Sequence, residues 1–340
     1  MSILGLGNAL VDILLKLDDE RALKETGIVK GAMDMIDEHQ MTVIQRTLSH
    51  LERSRTPGGS VCNSMRALAK LGAPAGFIGK IGDDASGVYY EEALRNAGVT
   101  PYFTRTKGNS GCCTVLISPD GERTMATFLG PAPDIEPEDI REDIVSQYHY
   151  MYIEGYLLVN EPLVRDAMKK ARQAGVKIAL DLSNFNIVHA FRDMLDDIIP
   201  AYVDILFSNE SEAKAFTGLE PEDAVRQMAQ KVDRAVVTCG KDGAIVSGRG
   251  DTLRVTAEGG KPLDTTGAGD HFAAGFLYGQ SVGASPEQSA RIGSLLAGYV
   301  INVIGPQIPD DRWEQIKLKV DAILSEAVDN CLLLRPLINK

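Results

Sequence analysis

Short apolar runs alternate along this chain with segments whose apolar residues recur at helical spacing. The apolar runs have the length and composition of buried strands; they cover residues 2–7, 75–82, 150–156, 177–183, 204–209 and 234–240. The helical patterns mostly end in glycine; they cover residues 62–72, 86–98, 161–175 and 221–232. Because this alternation is typical of parallel sheets covered by helices, we predict an α/β fold with a doubly wound, Rossmann-like, mostly parallel sheet and helices on both faces.

Two segments break the alternation. Residues 12–35 mix short apolar pieces with charges, and residues 101–130 predict two or three strands joined by a Ser-Pro-Asp-Gly turn. Strands outside the main pattern indicate a small β-sheet that closes over the main sheet as a lid. The predicted division is a large α/β domain of residues 1–11, 41–100 and 131–340, with a small β lid of residues 12–40 and 101–130.

Composition and charge narrow the class of protein. The 340 residues are 44% apolar and 24% charged, as in ordinary globular proteins. The net charge of −12 disfavours a nucleic-acid or anionic membrane partner, since no basic patch offsets it. No apolar run reaches about 18 residues, the start of the chain lacks a basic signal region, and the five cysteines lack zinc spacing. We therefore expect a cytoplasmic protein without membrane or nucleic-acid partners.

The stretch DTTGAGDHFAAGF, residues 264–276, carries the main candidate chemistry. A glycine turn that opens a helix directs backbone N–H groups and the positive end of the helix dipole at one point, which makes an anion site. Gly267 and Gly269 let a phosphate approach the backbone closely. Asp270 is then suited to accept a proton from a hydroxyl that attacks the phosphate. A simple helix cap is the alternative role for this aspartate.

Neither common nucleotide-binding motif accounts for this stretch. A P-loop needs Gly-Lys followed by Ser or Thr, which the chain lacks. The turn GLGNAL, residues 5–10, begins like a dinucleotide motif but has Leu10 where the third glycine belongs. The residues after it alternate at strand spacing.

The chain resembles the ribokinase-like (PfkB) kinases of sugars and nucleosides over roughly residues 3–310. The stretch 264–276 is similar to the C-terminal signature of that family, and GGSVCNSMRALAKLGAPAGFIGKIGDDASG, residues 58–87, to its N-terminal one. The resemblance implies a kinase that depends on ATP and Mg²⁺. It implies an anion hole formed by Gly267, Ala268 and Gly269, with Asp270 as the base.

The resemblance also implies a site for the phosphate acceptor near the N-terminus. Its residues are Asn8, Asp12, Gly58, Gly59 and Asn63. Asp12 and Asn63 would hold vicinal hydroxyls of a furanose ring, while the glycine pair lets the backbone lie against it. Taken singly, Asp12 also fits a solvated strand residue and Asn63 a helix cap.

Further residues are implied to bind the nucleotide and Mg²⁺. Asn209 and Glu212 match an NxxE element that organises Mg²⁺ through water, although the same spacing is a capping box. Thr238 and Gly240 would lie against ATP, and the adenine wall would come from the segment around Ser294 to Gly305.

Two weaker implications concern a monovalent cation and a phosphate clamp. Asp264 and Thr266 match positions that bind such a cation, for which K⁺ is the candidate. Arg123, in the predicted lid, has the chemistry to clamp the transferred phosphate. A solvated hairpin arginine is an equal alternative for Arg123.

Within the family the likeness favours the adenosine-kinase-like branch, through GNALVDI, VDILFSNESEA and DLSNFNIV. Tyr156 would stack on a purine, and the expected reaction is phosphorylation of the adenosine 5′-OH. Glu154, which suits a further sugar hydroxyl, keeps a ribokinase, fructokinase or keto-deoxygluconate kinase type open. A binding module without kinase activity and a vitamin kinase also stay open. The resemblance is compatible with a monomer or a homodimer.

Overall fold

The computed structural model describes residues 1–248 and 250–332, and the chain divides into two compact units. Unit 1 comprises residues 1–2, 67–74 and the chain from Ala179 onward. Unit 2 comprises residues 3–66 and 75–178. The chain passes from one unit to the other four times, at residues 2/3, 66/67, 74/75 and 178/179, so each unit is built from discontinuous segments.

The elements of the described chain alternate as the hydrophobic pattern predicts. The strands are β1 (Ile3–Leu6), β2 (Leu10–Lys16), β3 (Met33–Met35), β4 (Arg53–Gly58), β5 (Ala75–Gly82), β6 (Val99–Thr106), β7 (Gly111–Ile117), β8 (Arg123–Phe128), β9 (Tyr150–Glu154), β10 (Lys177–Asp181), β11 (Ile205–Asn209), β12 (Arg234–Thr238), β13 (Ala244–Gly248) and β14 (Asp251–Val255). The α-helices are α1 (Arg21–Thr26), α2 (Glu38–Thr47), α3 (Ser60–Leu71), α4 (Ala85–Asn96), α5 (Glu142–Val145), α6 (Glu161–Gln173), α7 (Phe185–Ala190), α8 (Arg192–Tyr202), α9 (Glu210–Thr217), α10 (Pro221–Met228), α11 (Ala268–Ser281), α12 (Pro286–Val300) and α13 (Trp313–Leu332).

Unit 2 contains parallel strands in the order β9-β1-β5-β6. The residues of β1, β5 and β9 are almost all buried, which explains why the sequence shows continuous apolar runs there instead of alternation. The same unit contains a separate five-stranded sheet in the order β3-β8-β7-β2-β4. In this smaller sheet, parallel pairs (β3 with β8, β2 with β7) are mixed with antiparallel ones.

Unit 1 continues the α/β pattern. Strands β10, β11 and β12 pair in parallel, and β13 and β14 extend them as an antiparallel hairpin. Helices α11 and α12 lie against each other at very short range, because Gly275 faces the backbone of Gly293. This close contact fixes the direction of α11, whose N-terminus carries the GAGD turn.

The structure confirms the predicted α/β class, with mostly parallel strands, intervening helices and a smaller β-sheet. It corrects the predicted lid boundaries at two points. Residues 101–106 belong to β6, which pairs in parallel with β5, and residues 53–58 form β4 of the smaller sheet. In the described residues, no helix is both long and apolar enough to cross a membrane. Helix α13 follows the α/β pattern, and residues 333–340 lie outside the described residues.

Candidate active site

The GAGD turn forms the start of helix α11. Gly267 adopts φ 78° as the residue before the helix, a left-handed conformation that glycine enters without a steric penalty. The backbone N–H of His271 donates to the carbonyl of Gly267 over 2.9 Å. Asp270 is half-buried in the first helical turn. The carboxylate therefore lies where the helix dipole favours negative charge.

The backbone N–H groups of this turn differ in how well they could donate to a bound phosphate. The N–H of Ala268, predicted to belong to the anion hole, donates to the carbonyl of Thr265 over 3.2 Å. A Cβ built on Gly269 would meet no atom within 4 Å, so the space beside this residue is open. The first turn of a helix leaves amides without partners inside the helix. The open side at Gly269 makes its N–H the better candidate for phosphate contact.

A pocket of about 340 Å³ in unit 1 opens beside this turn. It is lined by residues of the β12–β13 turn, the loop after β14, the start of α11 and helix α12. Thr238, Gly240 and Ser294, all predicted to bind the nucleotide, line it together with Ala268 and Gly269. Ala297, Gly298 and Ile301 also line it and lie in the segment predicted to form the adenine wall. Sequence reasoning did not single out its other lining residues, which are Lys241, Gly243, Ala257, Glu258, Gly259, Gly260, Pro262, Thr265 and Phe272.

Ser294 holds one wall of the pocket in place through hydrogen bonds to backbone atoms. Its hydroxyl donates to the carbonyl of Thr256 over 2.7 Å and accepts the N–H of Glu258 over 3.0 Å. This buried side chain thereby ties the loop after β14 to helix α12. Ser294 shapes the wall instead of offering a free hydroxyl to a ligand.

Asn209 and Glu212 form the capping box of α9. Asn209 Oδ1 accepts the N–H of Glu212 over 2.9 Å, while the Glu212 carboxylate accepts both the backbone N–H and the Nδ2 of Asn209. Burial and the nearby charge of Asp181 raise the pKa of Glu212 to about 8. Ser183, two residues after Asp181, has a φ of 61°. It is the one non-glycine residue with a positive φ among the described residues. Asp181 ends β10, and Glu212 lies in the first turn of α9 directly after β11. Two neighbouring carboxylates and the strained Ser183 at the carboxyl ends of parallel strands are typical of a ligand site.

Hydrogen bonds of the Asp264 side chain to Thr266 and Gly305 hold the loop before α11 in place. Asp264 Oδ1 accepts from the N–H and the hydroxyl of Thr266 over 3.0 and 2.7 Å, and Oδ2 accepts the N–H of Gly305 over 2.7 Å. These bonds do not support the predicted K⁺ site. Among the described residues, no cluster of three or more His, Cys, Asp or Glu side chains could hold a metal ion. Both carboxylate oxygens of Glu212 accept hydrogen bonds from Asn209, so they are not arranged as direct ligands of a metal ion.

In unit 2, the predicted acceptor residues lie close together. A Cβ built on Gly58 would clash with the carboxylate of Asp12, and one on Gly59, at φ 94°, with the carbonyl of Asn8. Asn63 is 5% exposed in the first turns of α3, where its N–H donates to the carbonyl of Gly59 over 3.0 Å. The lack of a side chain at Gly58 and Gly59 thus lets Asp12 and Asn8 lie directly against this backbone.

Glu154 takes a different position from the one predicted. Its side chain is only 1% exposed, and it accepts from the backbone N–H of Asn8 over 2.9 Å and from Asn8 Nδ2 over 2.5 Å. The prediction that it contacts a sugar hydroxyl is not supported by this burial. Tyr156 lies beyond β9 in a short 3₁₀ helix, Gly155–Val159, and is 37% exposed. Its ring is therefore accessible and is not part of the core.

The smaller sheet has one covered and one open face. Val11, Ile13 and Leu15 of β2 point to the covered face and are buried. Directly paired residues of a sheet share a face. On the open face Asp12 pairs with Cys113, and the next row brings together Leu14, Val115, Met125 and Met33. Arg123 starts β8 on the same face, half-buried, opposite Ile117.

A sequence model of the pfkB family of carbohydrate kinases matches residues 34–313. The chain belongs to this family. Family membership implies a phosphotransferase that uses ATP, and the GAGD turn beside the unit 1 pocket lies within the matched region.

Similar proteins include kinases of nucleosides and of sugars. The adenosine kinase of Schizophyllum commune is 27% identical, over 92% of this chain and 97% of that protein. The adenosine kinase structure from Sinorhizobium meliloti is 34% identical, with a TM-score of 0.80, over 90% of this chain and 95% of that one. A crystal structure of a probable sugar kinase from Rhizobium etli CFN 42 is 31% identical, with a TM-score of 0.83, over 94% and 98%.

Two signals in the sequence could have revealed the missed residues. The pair Gly259-Gly260 follows β14 and marks a tight loop. Asp181 ends a parallel strand, and ligands of open α/β sheets bind at the carboxyl ends of strands. Lys241, the basic residue of the described pocket lining, had no such signal because it lies in an ordinary polar turn.

Proposed function

We propose that this protein transfers the γ-phosphate of ATP to a primary hydroxyl of a ribonucleoside, with the 5′-OH of adenosine as the leading acceptor. The observation that carries the proposal is Asp270 in the first turn of α11, beside a pocket of about 340 Å³. A carboxylate next to an anion-binding turn suits the removal of a proton from an attacking alcohol.

The unit 1 pocket is the proposed ATP site. Its walls carry glycines at positions 259 and 298, where a Cβ would approach neighbouring backbone atoms to 3.0 and 2.6 Å, so the loop after β14 packs directly against helix α12 at this wall. Phe272 and Ile301 add apolar surface, and Lys241 adds a positive charge for phosphate. The start of α11 completes the site with N–H groups that favour an anion.

Asp270 is the proposed general base. The acceptor hydroxyl gives its proton to this carboxylate as its oxygen bonds to the γ-phosphorus, and the bond to the β,γ-bridging oxygen breaks to release ADP. The N–H of Gly269 would stabilise charge on the transferred group. Bound Mg²⁺ neutralises phosphate charge in such reactions, and Glu212 with Asn209 would hold it through water.

The open face of the smaller sheet supports a nucleoside over a free sugar. Asp12, proposed to bind a ribose diol, pairs with Cys113, and the half-buried apolar residues Leu14 and Met125 lie one row further on, either side of the buried Val115. Met33 and Met35 at the sheet edge are each 60% exposed. A nucleoside held by Asp12 has a base that can cover such an apolar surface, whereas a free sugar does not.

The other proposed contacts complete this account. Asn63 and the Gly58-Gly59 pair would hold the sugar together with Asp12, and Tyr156 would stack on the base. Arg123 remains a candidate phosphate clamp. We further propose that the smaller sheet acts as a lid that excludes water.

A sugar acceptor is the second candidate function. It is favoured by the similarity to the Rhizobium etli probable sugar kinase, which has the higher TM-score of the two structures described above. The same base and nucleotide site would serve that reaction. Only the use of the apolar open face separates the two proposals.

A coupled ADP-release screen tests the proposal. The panel is adenosine, inosine, guanosine, ribose, fructose and keto-deoxygluconate at equal concentration. We expect kcat/KM for a purine nucleoside to exceed that for every sugar by about a hundredfold, equivalent to about 2.7 kcal/mol. Turnover of sugars without any nucleoside would refute the nucleoside assignment, and no turnover across the panel would refute both candidates.

A further inference from the structure

The buried carboxylate of Glu154 gathers three N–H donors from two segments of unit 2. Oε1 accepts the backbone N–H and Nδ2 of Asn8, and Oε2 accepts the backbone N–H of Val61 over 3.4 Å. A Cβ built on Gly7 would lie 2.6 Å from Oε2, so this residue must be glycine for the carboxylate to fit. The segment after β1 and the start of α3 are therefore both attached to one side chain.

These bonds define the orientation of the Asn8 side-chain amide. A carboxylate accepts hydrogen bonds and cannot donate them when ionised, so the amide nitrogen must face Glu154. The amide oxygen then faces away from it. Asn8 is 7% exposed, and its Oδ1 is buried without a hydrogen-bond partner among the described residues. Such an atom is costly unless a ligand or water supplies a donor.

We infer that Glu154 is a positioning residue that turns Asn8 so that Oδ1 accepts a hydrogen bond from the phosphate acceptor. The inference rests on the proposed function, because it assumes that Asn8 lies in the acceptor site. It replaces the sequence-based expectation that Glu154 itself binds a hydroxyl. Both of its carboxylate oxygens already accept hydrogen bonds from Asn8 and Val61 in this arrangement, whereas Asn8 Oδ1 has no partner among the described residues.

The orientation has a consequence for specificity. The acceptor must present a hydroxyl or an N–H to Asn8 Oδ1, since an ether or fluorine offers no donor. A buried polar group that loses its partner discriminates strongly against such analogues. A positioning role for Glu154 means that this selectivity disappears when either Asn8 or Glu154 is changed.

A double-mutant cycle with adenosine as the acceptor tests the role of Glu154. Loss of one charge-assisted hydrogen bond predicts that Glu154→Gln raises the KM for adenosine by about tenfold to a hundredfold. The KM for ATP should stay within about twofold of wild type. In the Asn8→Ala background the same change should alter the adenosine KM by less than about twofold, because the group it positions is gone. Equal effects in both backgrounds would show that Glu154 contacts the acceptor directly and would overturn the inference.

Glu161→Gln is the matched control. This glutamate is exposed and pairs with Arg165 at one turn's distance in α6, away from the Asn8 cluster. Its change should leave the adenosine KM unaltered. An equal rise of KM in this control would show that the effect is not specific to Glu154 and would contradict the inference.

A measurement without any substrate separates this inference from the proposed function. Water-exchange NMR of the wild-type protein should show slow exchange for the Asn8 side-chain amide protons, identified by their loss in Asn8→Ala. Glu154→Gln should speed their exchange by at least about tenfold. The amide of Asn160, which donates to the carbonyl of Ile135 over 2.8 Å, should not change and reports that the chain after β9 is intact. If the Asn8 side-chain protons of the wild-type protein exchange as fast as those of exposed amides, the inference is refuted, whichever acceptor the protein uses.

Discussion

Adding one methyl group at Gly298 tests whether the unit 1 pocket binds ATP. A Cβ at this position would lie 2.6 Å from the carbonyl oxygen of Glu258, where ordinary contact begins at 3.4 Å. The backbone of Glu258 must therefore move by about 0.8 Å, and the Ser294 hydroxyl holds that backbone in place. Overpacking of this kind costs about 1–3 kcal/mol. If the wall relaxes into the pocket and ATP binding must push it back, the same cost of about 1–3 kcal/mol raises the KM for ATP by about 5- to 150-fold.

Thermal stability alone would not reveal this effect. Gly298 lies in helix α12, and alanine is favoured over glycine in a helix by about 1 kcal/mol, which offsets part of the strain. The assay is therefore the KM for ATP in coupled ADP release. Gly260→Ala is the matched control, because it lines the same pocket but has open space around a Cβ. Equal ATP KM values in the two variants would refute the proposed nucleotide site.

Three further predictions concern the open face, the charge of Glu212 and the GAGD turn. Met125→Glu should raise the adenosine KM at least about tenfold and the ribose KM far less; equal changes would contradict a base on the open face. Between pH 5 and 8 Glu212 should hold its proton more fully in the folded than in the unfolded protein, because its pKa is about 8 against 4.5. The contribution of Glu212 to the free energy of unfolding should thus fall as pH rises, and Glu212→Gln should remove it, which makes the pH slope of stability more positive in metal-free urea titrations; parallel slopes would refute this. Gly267 and Gly283 have nearly the same φ, 78° and 79°, but a Cβ at Gly267 would lie 2.8 Å from Pro306 and one at Gly283 would meet no atom within 4 Å. Gly267→Ala should therefore lower the Tm more than Gly283→Ala. Equal losses of Tm would show that the contact with Pro306 has no effect.

The sequence predicted the elements that follow a simple hydrophobic period. The run at 75–82 became β5 with the same bounds, and the pattern at 161–175 became α6 with its buried residues on one face. Strand β4 was missed, because Arg53, Ser54 and Arg55 at the edge of a sheet carry no apolar pattern.

The candidate site was predictable only where a motif coincided with a turn. Asp270 and the glycines around it could be found from the break between an extended entry and a helical pattern. The burial of Glu154 could not, because it depends on Asn8 and Val61, which are distant in sequence and meet only in the folded unit. The residues 101–106 were assigned to the lid because a strand period does not reveal which sheet a strand joins.

The turnover number of Asp270→Asn, measured by ADP release with the best acceptor of the panel, tests the central claim most directly. Removal of a positioned base predicts a kcat lower by about 10²–10⁴, with the KM for ATP within about threefold of wild type. Asp193→Asn is the control, because Asp193 also lies in the first turn of a helix, α8, and its change removes the same favourable dipole interaction. A kcat in Asp270→Asn equal to that of wild type would contradict the assignment of this carboxylate as the base.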